Sequence, residues 1–520
     1  MKILKVKLKQ HTPLVHFQHD QYGATLRASE VKPLLDKYIV SREFKNDYEQ
    51  CKYYLIGYKF SKLDQATDRI DEEEKLNGKL RQKFLFQNYR ALNYKLKIST
   101  TTLDESFKLE FFGGKTKFNP KTRKEETKYF NEDYPLILSN MGGKNSKDEL
   151  LNFSYAESVD LFFSIVINQN NQESLYCSKL KEILSKYISL FFANTNWGQR
   201  STKGFGSFAV VDIDNIPQEW NHGNLFLDGT PFMKYELRDI DLQNDMKVLF
   251  SVIDFYWKCL KSGINCTRRE ITNTGVIRKN FERGDNSGKR YIKAYLWEYL
   301  NNKLKNYTWE KRKIKEELNL IGSPTLFDLS PKPNMHIPFF ARGLMGCPTD
   351  SILYRIPTGR KGSNGKEVFE QVSVNLSNAN INDRNDKIER IASPIMFKPV
   401  FRNIDNHKWV YIYILFNQDL IDKLNEEASN FKFKFVGNGR FTEIDLKPKD
   451  FNFDYKDLIK NYHWSFYSNK DLFESIFMLP FSKRLKEHQF KMIARDFSWN
   501  NLLGRNNGES LISFGVTKLV

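Results

Sequence analysis

The sequence predicts an α+β chain of two domains, and three observations carry the prediction. Apolar residues alternate with lysine from Met1 to Lys9 (Met-Lys-Ile-Leu-Lys-Val-Lys-Leu-Lys), the period of a half-buried strand. Over Leu175–Asn194 they recur at helical spacing, with Leu180, Ile183, Leu184, Tyr187, Ile188 and Phe191 on one face. The chain also has 520 residues and is 40% hydrophobic, enough for more than one core.

The first domain is expected over residues 1–216. Its opening strand, Lys2–Gln10, ends at the turn Thr12-Pro13. The loop His16–Gly23 leads to Arg27-Ala-Ser-Glu30, where Ser29 is placed to cap a helix beginning near Val31-Lys32-Pro33. The charged stretch Tyr58–Lys128 contains the acidic run Asp71–Glu74 and two strand-like segments, Lys95–Thr101 and Phe107–Phe112. Ser158–Asn168 alternates as a strand, the helix Leu175–Asn194 follows, and a glycine loop over residues 196–207 returns the chain to the strand Ser207–Ile213.

The second domain is expected over residues 217–520, beginning after Pro217-Gln-Glu-Trp220. Asp241–Ser262 reads as an amphipathic helix, and Thr267–Lys315 is basic. Beyond Pro331-Lys-Pro333 come the loop Phe339–Gly346, the strand Ser351–Ile356 and a basic glycine loop, Pro357–Gly365. Ser373–Leu376 and Trp409–Phe416 read as strands and Gln418–Phe431 as a helix; the last hundred residues or so show no assignable period.

Charge narrows the class of partner. Lys and Arg number 81 against 63 Asp and Glu, a formal charge of +18, which favours a polyanion because phosphates bind a basic surface by releasing counterions. The longest apolar run, Trp409–Phe416, stops at Asn417, well short of the roughly 18–20 residues a membrane span needs. No membrane partner is expected, and the chain reads as a cytoplasmic protein. Five scattered cysteines without a CxxC pair fit neither a disulfide framework nor a zinc ribbon, and no cofactor or metal is expected.

The sharpest local feature is Asn196-Trp-Gly-Gln-Arg-Ser-Thr-Lys-Gly-Phe-Gly-Ser207. Gly198, Gly204 and Gly206 lack the Cβ atoms that hold phosphate away from backbone N–H groups. Arg200 and Lys203 add charge, while Trp197 and Phe205 offer stacking faces to unpaired bases. A tight helix-to-strand connection has the same composition. The segment is not a triphosphate loop, since GxxxxGK[ST] is absent and the order is helix, loop, strand.

This loop resembles the glycine-rich signature of the RAMP superfamily of CRISPR-associated proteins, G-x-R-[ST]-x-[KR]-G-[FY]-G, at each signature position. Thr12-Pro13-Leu14 and Leu26-Arg27-Ala-Ser29 are similar to the family's opening. Arg342-Gly-Leu-Met-Gly346 resembles a family glycine loop, and Arg390-Ile-Ala-Ser-Pro-Ile-Met-Phe-Lys398 the "R-x-x-S-P-[IL]-x-x-K" strand of the two-domain head subunit of Cmr-type (type III-B) complexes. The resemblance implies two ferredoxin-like (βαββαβ, RRM-like) domains with insertions. It implies a non-catalytic subunit that contacts the 3′ region of the CRISPR guide RNA, the target RNA and other RAMP subunits in antiviral defence. Residues implied to bind RNA are Arg27, Lys32, Trp197, Arg200, Lys203, Gly204, Phe205 and Gly206 in the first domain, with Arg342, Arg390 and Lys398 in the second.

Catalysis is the alternative. His16 and His19 share a loop with Asp20, and a histidine pair suits the base and acid of a metal-independent endoribonuclease processing repeat RNA. Asp212-Ile-Asp214 puts two carboxylates on one strand face, but a solvent-facing edge explains it better than a metal site.

Overall fold

The computed structural model describes residues 2–15, 26–56, 91–100, 152–156, 158–165, 171–219, 294–304, 341–346, 351–361, 367–378, 392–404, 407–427, 431–436, 452–468 and 512–516, with shorter segments between them. It is an α+β protein with antiparallel principal sheets. The N-terminal half runs β1 (Lys2–Gln10), α1 (Ala28–Arg42), β2 (Lys95–Thr100), β3 (Ser158–Ile165), α2 (Asn171–Ala193) and β4 (Phe208–Ile213), and its strands form a sheet in the order β2-β3-β1-β4, extended at one edge by Ile216–Pro217. Alternation places Leu4, Val6 and Leu8 of β1 and Val159, Leu161 and Phe163 of β3 on one face. There they pack with Val31, Leu35 and Ile39 of α1 and Leu180, Leu184 and Ile188 of α2 in one core.

The helix α1 starts earlier than the sequence suggested. Arg27 holds the extended N-cap position without a side-chain bond, and Ser29 lies inside the first turn. Pro33 therefore falls in the second turn, where its missing N–H removes a helical hydrogen bond. The helix is held by tertiary burial, with Lys32 bonded to Asp36 at 2.6 Å and both tied to Leu92.

The C-terminal half repeats the strand order. β5 (Pro231–Leu237), β6 (Ile395–Ile404), β7 (His407–Phe416) and β8 (Ile512–Val516) form a sheet in the order β6-β7-β5-β8. Helical positions between Met246 and Lys261 lie between β5 and β6 in sequence, and α3 (Gln418–Glu427) lies between β7 and β8. Phe397, Val410, Ile412 and Ile414 are fully covered on or near one face, where Tyr256 and Trp257 meet Phe397 edge-on. Tyr411, Tyr413 and Leu415 alternate onto the other face and join Ala193 of α2 and Leu225 and Phe226 of the segment between the two sheets.

Three second-half expectations need correction. Pro357–Lys361 continues the strand Ser351–Lys361 rather than forming a loop, because the hairpin partner Glu367–Asn378 pairs along it across an irregularity. Phe431 opens a strand, Phe431–Val436, whose alternating Phe and Lys residues pair with Asn378–Ser373; the preceding helix ends at Glu427. Tyr455–Ser468 is a helix and Ile512–Val516 a strand within the stretch that showed no period. Among the described residues no helix is long and apolar enough to cross a membrane.

Candidate nucleic-acid interface

The glycine loop is built into the seam between the halves. Its first anchor is the segment that leaves β1. Gly206 N–H donates to the Pro13 carbonyl at 2.8 Å, Gln199 N–H to Val15 at 2.8 Å, and His11 N–H to Ser207 at 2.8 Å. The Thr12 hydroxyl donates to Gly204 O (2.7 Å) and accepts from Ser207 N (2.9 Å). Thus the Thr12-Pro13 turn is what the loop folds onto. Trp197 N–H bonds Gly206 O at 2.9 Å, closing the loop on itself.

Its second anchor is β6. Asn196 Nδ2 donates to Phe397 O at 2.6 Å, and Ser207 Oγ to Pro399 O at 2.6 Å. Lys398 reaches the other way, its Nζ donating to Thr195 O and Phe208 O, each at 2.8 Å. Gly204 has a left-handed φ of +91°, and a Cβ there would meet Ile253 Cδ1 at 2.9 Å and Pro399 Cγ at 3.0 Å, so the missing side chain is filled by the second half. The Phe205 ring stacks on Phe250 with centroids 4.0 Å apart, and Lys203 Nζ sits 3.3 Å from the centroid of the Trp257 ring.

These positions change the reading of several candidates. Trp197 and Phe205 are buried, Trp197 against Phe191 and Phe192, so protein occupies the faces expected to stack on bases. Lys398 is fully buried, and its Nζ donates to two backbone carbonyls where a phosphate contact was expected. Gly204 and Gly206 serve close packing. Lys32 is held by Asp36, Leu92 O and the Tyr94 ring at 3.8 Å. Burial lowers the Lys32 ammonium and raises the Asp36 carboxyl, and each partner opposes the other's shift.

Other candidates keep solvent access or lie elsewhere. Arg27 is exposed at the start of α1, and Arg200 is half-buried with a left-handed φ of 57°. Arg342 lies in the short helical turn Ala341–Met345, which ends at Gly346 against Ser393. Arg390, His16, His19 and Asp20 lie outside the described residues. Asp214 accepts from Lys5 N at 2.8 Å and pairs with Lys181 at 2.7 Å, while Asp212 accepts from Asn215 N. This carboxylate pair organises a turn. Among the described residues no group of three or more His, Cys, Asp or Glu side chains could hold a metal ion.

The sequence groups His11 with His16 and His19 beside the first strand, which suits phosphate contacts or surface residues, and the structure corrects this for His11. It is buried at the seam, where its Nδ1 accepts from Phe401 N–H at 3.1 Å, which puts the proton of the neutral ring on Nε2. Burial, then the charges of Lys9 and Lys398, holds its pKa well below 6.5. The unfolded chain therefore binds the extra proton first as pH falls. The His11 contribution is whole above about pH 6.5 and is expected to fade below it by up to about 1.4 kcal/mol per pH unit. Thermal melts at pH 7.5 and 5.5, compared with His11→Asn, check this; an equal pH dependence in the variant contradicts it.

Comparison with known proteins points to one family. The Cmr1 N-terminal domain model matches residues 1–264, and the Cmr1 C-terminal domain model matches residues 291–487. No curated protein matches. Among solved structures, a chain of the type III-B Cmr-beta complex bound to cognate target RNA is 12% identical, with 79% of this chain and 94% of that chain covered and a TM-score of 0.26. A chain of the same kind of complex with target RNA and AMPPnP, in the presence of ssDNA, is 12% identical with 89% and 99% covered and a TM-score of 0.28. A CRISPR-associated protein Cas6 is 9% identical with 86% and 99% covered and a TM-score of 0.12. Superpositions this loose do not set one residue upon another.

Proposed function

The chain belongs to the Cmr1 family, and on that premise we propose that it is a non-catalytic RNA-binding subunit of a cytoplasmic type III-B CRISPR effector complex. In this reading it holds guide and target RNA beside other RAMP subunits in antiviral defence. The observation that carries it is the match of both family domain models in order along the chain. Two further features support it. The formal charge of +18 suits a phosphate-bearing partner. Each half arranges its strands in the same 2-3-1-4 order, which supports two ferredoxin-like units.

The division of labour follows from the chemistry. Base pairing between guide and target reads the sequence, and a subunit of this type needs only to hold backbone and unpaired bases. Incubating the full chain with labelled repeat RNA in EDTA, on a denaturing gel beside a filter-binding assay, tests the reading. Binding that weakens steeply with salt, without cleavage, is expected. Cleavage at one position, lost in His16→Ala or His19→Ala, makes the chain a processing endoribonuclease instead.

A further inference from the structure

The face of the N-terminal sheet turned away from α1 and α2 carries what the glycine loop lacks. With Leu4, Val6 and Leu8 in the core, Ile3, Lys5, Lys7 and Lys9 of β1 fall on the opposite face. The register extends this face sideways. Lys5 stands opposite Phe162 of β3, and Phe162 stands opposite Lys97 of β2, one row of Lys-Phe-Lys across three strands. The adjoining row is Ile3, Ser164 and Lys95. Neighbouring strands lie about 5 Å apart, so the two lysines bracket the ring within reach of one nucleotide. Lys5 Nζ lies 5.9 Å from the Phe162 centroid; Ile3, Lys95 and Lys97 are exposed, and the Phe162 side chain is half-buried.

A solvated strand face also shows lysines, so their neighbours decide the matter. Lys7 lies in register with Asp160 on one side and Asp212 on the other, carboxylates that close the basic strip at that end. Lys5 has the Phe162 ring on its β3 side and, on its β4 side, Asp214, whose carboxylate accepts from the Lys5 backbone N–H and pairs with Lys181, while Lys97 and Lys95 have Phe162 and Ser164 beside them in register. An aromatic face on a central strand with cations to either side suits a stacked base and its flanking phosphates. An acidic protein segment would use the cations but has no need of the ring.

We propose that this face seats single-stranded RNA, with a base on Phe162 and the adjacent phosphates on Lys5, Lys95 and Lys97. This rests on the RNA-binding reading above and gives it a surface. The test uses the full chain, a labelled oligouridylate and a salt titration. Phe162→Leu keeps apolar bulk without a ring and is expected to weaken binding about 10-fold with the salt slope unchanged. The triple variant Lys5→Ala/Lys95→Ala/Lys97→Ala is expected to lower the slope of log affinity against log salt by about 2, at about 0.7 per phosphate contact. A control triple of the same charge, Lys37→Ala/Lys456→Ala/Lys460→Ala, is expected to leave the slope near wild type. If the first triple behaves like the control and Phe162→Leu like wild type, the placement is wrong. Lost assembly with other subunits at unchanged RNA affinity makes the face a protein dock and also overturns it. A wild-type chain with no affinity for the oligouridylate overturns the RNA-binding reading itself.

Discussion

Lys398→Met is expected to destabilise the junction between the halves by about 2–3 kcal/mol and to split thermal unfolding into separate transitions. Two effects compete. Removing a buried ammonium relieves the desolvation that pushes its pKa well down. Yet Thr195 O and Phe208 O remain in place after the substitution, and each loses its donor at 2.8 Å. A buried acceptor left unmade costs about 1–3 kcal/mol, and there are two, so the loss wins. Both carbonyls belong to the first half and the lysine to the second, so the cost falls on their association. Differential scanning calorimetry checks this; an unchanged melting profile would show that Lys398 does not join the halves.

Gly206→Ala is expected to cost about 3 kcal/mol or more and to lower the yield of folded protein. Gly206 has a φ of +65°, and a Cβ built on it would lie 2.0 Å from Trp197 O, 2.8 Å from Trp197 C and 2.9 Å from Trp197 N. All three atoms are backbone, so no rotamer change relieves the overlap. The loop would have to open where Trp197 N–H bonds Gly206 O. Gly204→Ala makes an informative comparison, because its Cβ would meet side-chain atoms of Ile253 and Pro399 across the seam. Circular dichroism melts of the two variants separate damage to the loop from damage to the junction. A Gly206→Ala protein with wild-type stability would contradict this geometry.

The local periods of the sequence were legible, and the long-range partners were not. Lys2–Gln10 alternates so regularly that its ends coincide with the strand, and Leu180, Ile183, Leu184 and Ile188 are buried on the helix their spacing predicted. By contrast, Pro357–Lys361 joins a strand because its hairpin partner supplies the pairing, which outweighs its turn-forming composition. Ile512–Val516 is a strand because β5, almost three hundred positions earlier, offers it an edge. For Ile512–Val516 the local pattern does not contain the partner.

The same limit explains the site. A glycine loop that wraps phosphate and one that admits a neighbouring strand both need missing Cβ atoms and left-handed φ values, so composition alone cannot separate them. Thr12 and Pro13 were visible as a turn, but the bonds from Thr12 to Gly204 and Ser207 span about 190 residues. Lys398 reads as an RNA contact until its two carbonyl partners, also about 190 to 200 residues away, are in place. The lysines of β1 marked a strand from the start. Their use depends on Phe162 standing opposite Lys5, a matter of register.

Photo-crosslinking the full chain to thiouridine-substituted RNA and mapping the modified peptides is the most direct test of where RNA meets this protein. Crosslinks on peptides from β1, β2 and β3, centred on Phe162, with the loop over residues 196–207 unmodified, are the predicted result. Crosslinks concentrated on Trp197 or Phe205 would contradict it, because RNA could reach those rings only by opening the seam that Lys398, Ser207 and Asn196 hold closed.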